Sequence, residues 1–119
     1  MVEFGTKILF YQRQRKEPRT KMLQVDKTKQ AKEDLYHIWH YISLVKQNPL
    51  NADAFIYQLD AAFGVIAKAP KIGSLKPEYL SNVRQYILGQ YLIFYLVEDT
   101  AILIVRVIHG NRDLPSIFE

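Results

Sequence analysis

Three histidines are the residues of this 119-residue chain most suited to acid–base or metal chemistry near neutral pH. His37 and His40 are three residues apart in a segment of helical periodicity, so they share one side of a helix. A metal ion would need a third ligand, and the sequence has neither cysteine nor a His-Glu-x-x-His motif. We therefore expect no metal site and no cofactor.

His109 ends a run rich in isoleucine and valine, directly before Gly110. Its imidazole could serve as a general acid or base, or it could equally be the polar end of a strand. The sequence contains no Ser/His/Asp signature, no glycine-rich phosphate loop and no nucleophile elbow. No strong local motif therefore specifies enzyme chemistry.

The charge pattern divides the chain into two parts. The formal net charge is +4, and the whole excess lies in residues 1–21, because residues 22–119 carry ten basic and ten acidic side chains. We interpret 1–21 as a basic N-terminal extension. It could be an arm that binds nucleic acid or an acidic partner. We favour the alternative that it has no function and is a leader, a cloning remnant or a mobile terminus. Residues 22–119 form one domain, whose neutral charge gives no reason to expect nonspecific nucleic-acid affinity.

The elements that position these residues begin with a short strand at 23–25, where apolar and polar residues alternate. Thr28 can cap the helix that follows, and its apolar positions recur at helical spacing. Asn48-Pro49 closes this helix and opens a second one, which Pro70 ends. Because the connection is so short, the two helices must form an antiparallel hairpin.

Three β-rich runs follow the helices, separated by Gly89-Gln90 and Glu98-Asp99 as predicted two-residue turns. The sequence thus predicts an α+β fold in which the helix hairpin packs on one face of a three-stranded antiparallel meander, followed by a short C-terminal helical turn within 111–118. The longest apolar run, Tyr91–Val97, is far shorter than a membrane span. The three strand runs are 82–88, 91–97 and 101–108.

The predicted turns determine a strand register. In the first hairpin Leu88 opposes Tyr91 and Arg84 opposes Tyr95, and in the second Tyr95 opposes Ile102 and Tyr91 opposes Arg106. Side-chain alternation then separates an apolar face, expected to receive the helices, from an Arg/Tyr face, expected to be a binding surface. The alternative for any one of these residues is a local role, in which tyrosine and arginine stack or an arginine pairs with a nearby carboxylate. A bulge would reverse this parity. The apolar face comprises Val83, Ile87, Leu92, Phe94, Leu96, Leu103, Val105 and Val107. The Arg/Tyr face comprises Arg84, Tyr86, Tyr91, Tyr95 and Arg106.

Several short segments, in order, carry a family resemblance that covers about Leu23 to Phe118. They are Ala31, Glu33-Asp34-Leu35, Ile38 and Tyr41-Ile42, then Ala67-x-x-Pro70-x-x-Gly73, then Arg84, Tyr91–Tyr95 and Arg106–Asp113. This sequence resembles the plasmid-stabilisation toxins of the ParE/RelE superfamily, nearer the ParE branch.

The resemblance implies a cytoplasmic, growth-inhibiting toxin of a type II toxin–antitoxin pair, without a membrane partner. Its antitoxin would be ParD-like, with a DNA-binding ribbon-helix-helix half, so that the toxin meets DNA only indirectly. A ParE-like toxin would inhibit DNA gyrase by protein–protein contact. The alternatives are a RelE-like mRNA endonuclease acting on the ribosome, and an inactive antitoxin-binding module.

The resemblance also implies site residues. In the ribonuclease alternative, Arg84, Arg106 and His109 would carry the chemistry, although Gly110 stands where several ribonuclease members have an aromatic residue. Target or antitoxin contact would involve Arg84, Tyr86, Tyr91, Tyr95, Arg106, Arg112 and Phe118.

Overall fold

A computed structural model describes residues 22–112 together with Leu114 and Phe118. The predicted extension at 1–21 and most of the predicted C-terminal helical turn lie outside the described residues. The predicted α+β class is confirmed. The elements are β1 (Gln24–Lys27), α1 (Lys29–His40), a π-helical turn (Tyr41–Val45), α2 (Pro49–Lys68), β2 (Ser74–Leu75), β3 (Arg84–Leu88), β4 (Tyr91–Val97) and β5 (Ala101–His109).

Both helices begin where the sequence predicts. The Thr28 hydroxyl accepts a hydrogen bond from the backbone N–H of Ala31, and the Asn48 side chain accepts one from Asn51. These contacts satisfy donors of the first turn that have no partner within the helix. Pro49 occupies the first turn of α2, where its missing N–H costs nothing. None of the described helices is long and apolar enough to cross a bilayer.

The sheet has five strands in the order β1-β5-β4-β3-β2, one more than the four predicted. The additional strand, β2, is a two-residue edge strand between α2 and β3, and it pairs antiparallel with β3. β1 pairs parallel with β5, from Gln24 opposite Ala101 to Lys27 opposite Ile104. β3, β4 and β5 form the predicted antiparallel meander.

The first hairpin has the predicted register, with Leu88 opposite Tyr91 and Arg84 opposite Tyr95. Its turn uses Gly89 at φ +60°, a conformation that glycine adopts without a side-chain clash.

The register predicted for the second hairpin is wrong. Tyr95 opposes Ile104 rather than Ile102, and Tyr91 opposes His109 rather than Arg106. The turn lies one residue later than predicted, and the register shifts again between Phe94 and Tyr95, where β5 contains one extra residue. Such a bulge changes the alternation of side chains on all later positions of the strand.

The helices cover the sheet face opposite to the one predicted. The main core joins buried residues of α1 and α2 to the face that carries Ile93 and Tyr95, with Tyr86 and Tyr91 packed at its border. The predicted apolar face is instead covered by Tyr79, Leu114 and Phe118. This second, smaller core has Val83, Phe94 and Ile108 at its centre. Both faces therefore carry buried residues, although Ile87 on the second face is 62% exposed, and the described part of the sheet presents no large open Arg/Tyr surface.

Candidate functional site

A cleft of about 520 Å³ lies between the end of α1, the π-helical turn and the ends of β4 and β5. We call it the basic cleft, since it brings together Lys46, Arg112 and two histidines with two tyrosines. Among the residues that the structure describes, Asp34 is the only acidic side chain of its lining. The full lining is Asp34, His37, Ile38, Tyr41, Ile42, Lys46, Gln90, Tyr91, Val107, Ile108, His109, Asn111 and Arg112.

One wall comes from α1 and the turn that follows it. His37 and Tyr41 are four residues apart, so both side chains project from one side of the helix. The helix then widens into the π-helical turn, a feature that occurs often at functional sites. Lys46 at the end of this turn places its ammonium 5.8 Å from the Tyr41 ring centroid. This wall therefore presents a cation and an exposed phenol together.

The opposite wall is built by the ends of β4 and β5. The rings of Tyr91 and His109 meet edge to face with centroids 5.1 Å apart, as expected for residues paired across two strands. Tyr91 also packs on Phe55 of α2, at 5.0 Å. Burial raises the pKa of Tyr91, and the neighbouring Tyr41 phenol raises it further. Tyr91 is therefore a neutral hydrogen-bonding phenol at physiological pH.

Both nitrogens of His109 have partners. Its Nδ1 accepts from the backbone N–H of Asn111 at 3.3 Å, and its Nε2 lies 3.2 Å from Oε1 of Gln90. With Nδ1 as the acceptor, the tautomer that carries its proton on Nε2 can donate to Gln90. The imidazole is thus held between Gln90 of the β3–β4 turn and Asn111, which follows β5.

Arg106 is held by α1 through Asp34, which lines the basic cleft. Its Nε and one terminal nitrogen donate to the two oxygens of Asp34 at 2.8 and 2.9 Å. Asp34 also accepts the backbone N–H of Val107 at 2.9 Å. This hydrogen bond to Asp34 raises the pKa of Arg106, against the opposing effect of burial. The guanidinium therefore serves a bidentate ion pair and is not presented to a partner.

The ion pair has a structural cause in the sheet. β1 ends at Lys27, and beyond it the outer edge of β5 has no neighbouring strand. Thr28 is the first residue beyond β1 to bond this edge. Its backbone N–H donates to the carbonyl of Ile104, and its hydroxyl donates to the carbonyl of Val105. Asp34, six residues after Thr28, then accepts from the backbone N–H of Val107. Side chains of α1 thus satisfy the edge that the short strand leaves open.

Arg84 and Tyr95 are engaged at the other end of the sheet. Arg84 donates to the backbone carbonyls of Gly73 at 2.7 Å and Lys71 at 3.3 Å. The Tyr95 hydroxyl donates to the carbonyl of Pro70 at 2.6 Å and accepts from the N–H of Gly73 at 2.9 Å. Tyr95 is fully buried, and burial raises its pKa. Both side chains hold the loop between α2 and β2.

The predicted site residues consequently do not form one surface. Arg84 opposes Tyr95 and Arg106 opposes Phe94, and these two positions of β4 face opposite sides of the sheet. The prediction that both arginines share an open face is therefore wrong, because the bulge in β5 displaces Arg106. Of the residues predicted for partner contact, the basic cleft contains Tyr91 and Arg112. Tyr86 borders the main core, and Phe118 stacks in the second core between Tyr79 and Phe94.

Sequence reasoning missed several cleft residues, namely Tyr41, Lys46, Gln90 and Asn111. The spacing of His37 and Tyr41 could have indicated a shared helix side, but nothing in the sequence indicates that this side meets the end of β5. His40, the other histidine of α1, does not line the cleft and stacks near Tyr36, at 5.8 Å. Among the residues that the structure describes, no three potential metal ligands come together.

Comparison with known proteins gives one family. Residues 25–114 match the family described as "ParE toxin of type II toxin-antitoxin system, parDE". No protein of curated function matches the chain.

Two solved structures are similar to this fold. A chain of the chromosomal ParDE toxin–antitoxin system from P. aeruginosa is 22% identical with a TM-score of 0.61; the similarity covers 74% of this chain and 96% of that one. A chain of the RelBE2 toxin–antitoxin complex from Mycobacterium tuberculosis is 24% identical with a TM-score of 0.55, covering 74% and 98%. At these identities the likeness establishes a shared fold.

Proposed function

The chain belongs to the ParE toxin family of type II toxin–antitoxin systems, and from this premise we propose that it inhibits DNA gyrase by protein–protein contact and is neutralised by a ParD-like antitoxin. It would do so in the cytoplasm, where gyrase acts, and the result would be growth inhibition. The family match over residues 25–114 carries this proposal.

The state of the two sheet arginines supports contact over RNA cleavage. Cutting RNA requires an acid, a base and cations positioned around one phosphate. Arg84 is bound to loop carbonyls, Arg106 to Asp34, and His109 to Gln90 and Asn111. The three groups proposed for that chemistry are thus held by separate structural contacts.

We propose that the contact surface consists of the basic cleft and the adjacent tip of the helix hairpin, at the π-helical turn between α1 and α2. The tip exposes Leu44 and Val45 of the π-helical turn at 56% and 61%, next to Tyr41 at 48%. Apolar side chains beside Lys46 and Arg112 suit a partner segment with apolar anchors and acidic flanks. In this proposal Tyr91 and Arg112 touch the partner, whereas Arg84, Arg106, Tyr86, Tyr95 and Phe118 position the surface.

A gyrase supercoiling assay with the purified protein tests the target. Inhibition that rises with protein concentration is the expected result. Cleavage of ribosome-bound mRNA with gyrase unaffected would replace the proposal by the RelE-like function. Neither effect, together with unimpaired growth of expressing cells, would identify an inactive antitoxin-binding module.

Charge reversal in the cleft tests the surface. Lys46→Glu combined with Arg112→Glu should weaken gyrase inhibition about tenfold or more, because the two glutamates would repel an acidic partner that the cations attract. Lys29→Glu combined with Lys32→Glu, two exposed reversals on α1 outside the cleft lining, is the matched control and should leave inhibition unchanged. Full inhibition by the double variant would exclude the cleft as the gyrase contact.

The antitoxin can be tested separately from gyrase. A small reading frame beside the gene that encodes a ribbon-helix-helix protein should yield a stable complex on co-expression. The complex should restore gyrase activity, and the cleft variant should bind this antitoxin less tightly. Absence of complex formation with such a neighbour would contradict the ParD-like partner.

A further inference from the structure

The basic cleft combines two cations with a carboxylate whose charge is already balanced. Lys46 follows the π-helical turn and Arg112 follows β5, so each wall of the cleft has a cation. Asp34, the one acidic side chain among the described lining residues, accepts two hydrogen bonds from Arg106 and one from the backbone of Val107. The electrostatic field inside the cleft therefore favours an anionic ligand.

The chain that follows β5 is held against the β3–β4 turn by backbone hydrogen bonds. The N–H of Gly110 donates to the carbonyl of Gln90 at 2.8 Å, and the N–H of Arg112 donates to the carbonyl of His109 at 3.1 Å. A Cβ at Gly110 would lie 3.3 Å from the Gln90 carbonyl oxygen, so this close approach suits glycine. Asn111 and Arg112 thus project from a fixed turn, which lowers the entropy lost when they bind a ligand.

The cleft also offers an aromatic surface and two amide side chains. Tyr41 is 48% exposed, so part of its ring is open to a ligand. Aromatic rings of this kind stack on nucleic-acid bases. Gln90 and Asn111 contribute carboxamides, which contain both donors and an acceptor and can match the edge of a base. A planar heterocycle therefore finds a stacking surface and hydrogen-bond partners in the same cleft.

We propose that the basic cleft binds a nucleoside monophosphate, with its phosphate between Lys46 and Arg112 and its base against Tyr41. One guanidinium satisfies a carboxylate, as Arg106 does for Asp34, and would leave a second cation unused. A phosphate monoester carries about two negative charges and three acceptor oxygens, so it can use both walls at once. The cleft volume of about 520 Å³ lies in the range of small-ligand sites.

The phosphate and the base should contribute separately to affinity. Stacking of the base should lower the Kd at least about fivefold relative to inorganic phosphate. Loss of both cations should raise the Kd about tenfold or more, because each cation forms charge-assisted hydrogen bonds with the phosphate. This binding concerns the toxin without a protein partner, so it is tested independently of the proposed contact with gyrase.

The three histidines of the full chain report on this binding and on a control position at the same time. His37 and His109 line the cleft, whereas His40 does not. Their imidazole signals in ¹H–¹³C NMR spectra can be followed while adenosine 5′-monophosphate (AMP), adenosine or inorganic phosphate is added at constant pH and ionic strength. At about 10 mM, AMP fills about nine-tenths of a site with a Kd of about 1 mM. We expect saturable shifts of His37 and His109 with AMP, weaker binding of inorganic phosphate, and no shift of His40.

Three variants separate the parts of the site. Lys46→Gln with Arg112→Gln should raise the Kd for AMP about tenfold or more. Tyr41→Leu should remove the advantage of AMP over inorganic phosphate and leave the Kd for phosphate unchanged. Lys29→Gln with Lys32→Gln, the same charge change at exposed positions of α1 outside the cleft lining, is the matched control and should change neither Kd.

The proposal is overturned if AMP produces no saturable shift, if all three histidines shift equally, or if the shifts survive the Lys46 and Arg112 substitutions. Equal Kd values for AMP and inorganic phosphate would show an anion site without base recognition and would also overturn it. A single-stranded oligonucleotide that binds more than about tenfold tighter than AMP would assign the cleft to a nucleic-acid strand, which contradicts a mononucleotide site.

Discussion

The ion pair between Asp34 and Arg106 is a contact in which a small substitution should strongly lower the free energy of unfolding. The Asp34 carboxylate accepts three hydrogen bonds, two from Arg106 and one from the backbone of Val107. The two side chains are only 10% and 14% exposed. We therefore choose Asp34→Asn, which keeps the size and one acceptor oxygen but removes the charge.

The magnitude follows from the contacts that are lost. Removing one partner of a buried ion pair costs about 3–5 kcal/mol, and a hydrogen bond to a charged group contributes about 1.5–3 kcal/mol. Because water reaches part of this pair and the amide retains one bond, we expect a loss of about 2–4 kcal/mol. This is a large part of the roughly 5–15 kcal/mol that stabilises a typical domain.

Guanidinium unfolding followed by circular dichroism measures this loss. The denaturant midpoint should fall while the slope of the transition stays constant. Glu33→Gln, the adjacent exposed carboxyl on α1, is the matched control and should change the free energy of unfolding by less than about 0.5 kcal/mol.

A double-mutant cycle then isolates the pair from other effects of the substitutions. Asp34→Asn combined with Arg106→Gln should give a coupling energy of about 2 kcal/mol. A coupling below about 0.5 kcal/mol would refute the view that Arg106 is held for the fold. In that case a loss of toxicity in Arg106 variants would point to a partner contact.

Three further predictions concern the loop between α2 and β2, which Tyr95 holds, and the phenols of Tyr91 and Tyr95. Tyr95→Phe should lower the free energy of unfolding by about 1.5–3 kcal/mol, because it leaves two backbone groups of the loop unpaired. Tyr86→Phe is the control for loss of a hydroxyl, and an equal loss of stability in both variants would contradict this explanation. Gly73→Ala should lower the melting temperature, since its Cβ would lie 2.7 Å from the Tyr95 hydroxyl. Gly64→Ala in α2 meets nothing within 4 Å and should raise the free energy of unfolding by about 0.5–1 kcal/mol. Stability changes of the same sign for both variants would exclude the steric explanation. Burial raises the pKa of Tyr91 and Tyr95 above the ordinary value of 10.0, so the unfolded chain loses these protons first. The free energy of unfolding should therefore fall as pH rises above about 10, and denaturant midpoints across this range measure the fall. A midpoint that stays constant or rises would contradict the predicted direction.

The sequence by itself determined the local structure and the family. Thr28 and Asn48-Pro49 specify both helix starts, since a cap depends on residues within one turn. Gly89 specifies the first hairpin and its register, since a two-residue turn directly joins the strands that it pairs. The order of short motifs along the chain was enough to indicate the ParE toxins, a prediction that the family match confirms.

Only the tertiary structure decided which face of the sheet is covered and what the arginines do. Both faces are apolar enough to be buried, so the alternation of residues does not distinguish them. A single extra residue in β5 then shifts every later side chain relative to β4, and Arg106 meets Asp34 from 72 residues earlier in the chain. Side-chain direction in a strand has a period of two, so one inserted residue is sufficient to move a functional candidate from an expected surface into a structural ion pair.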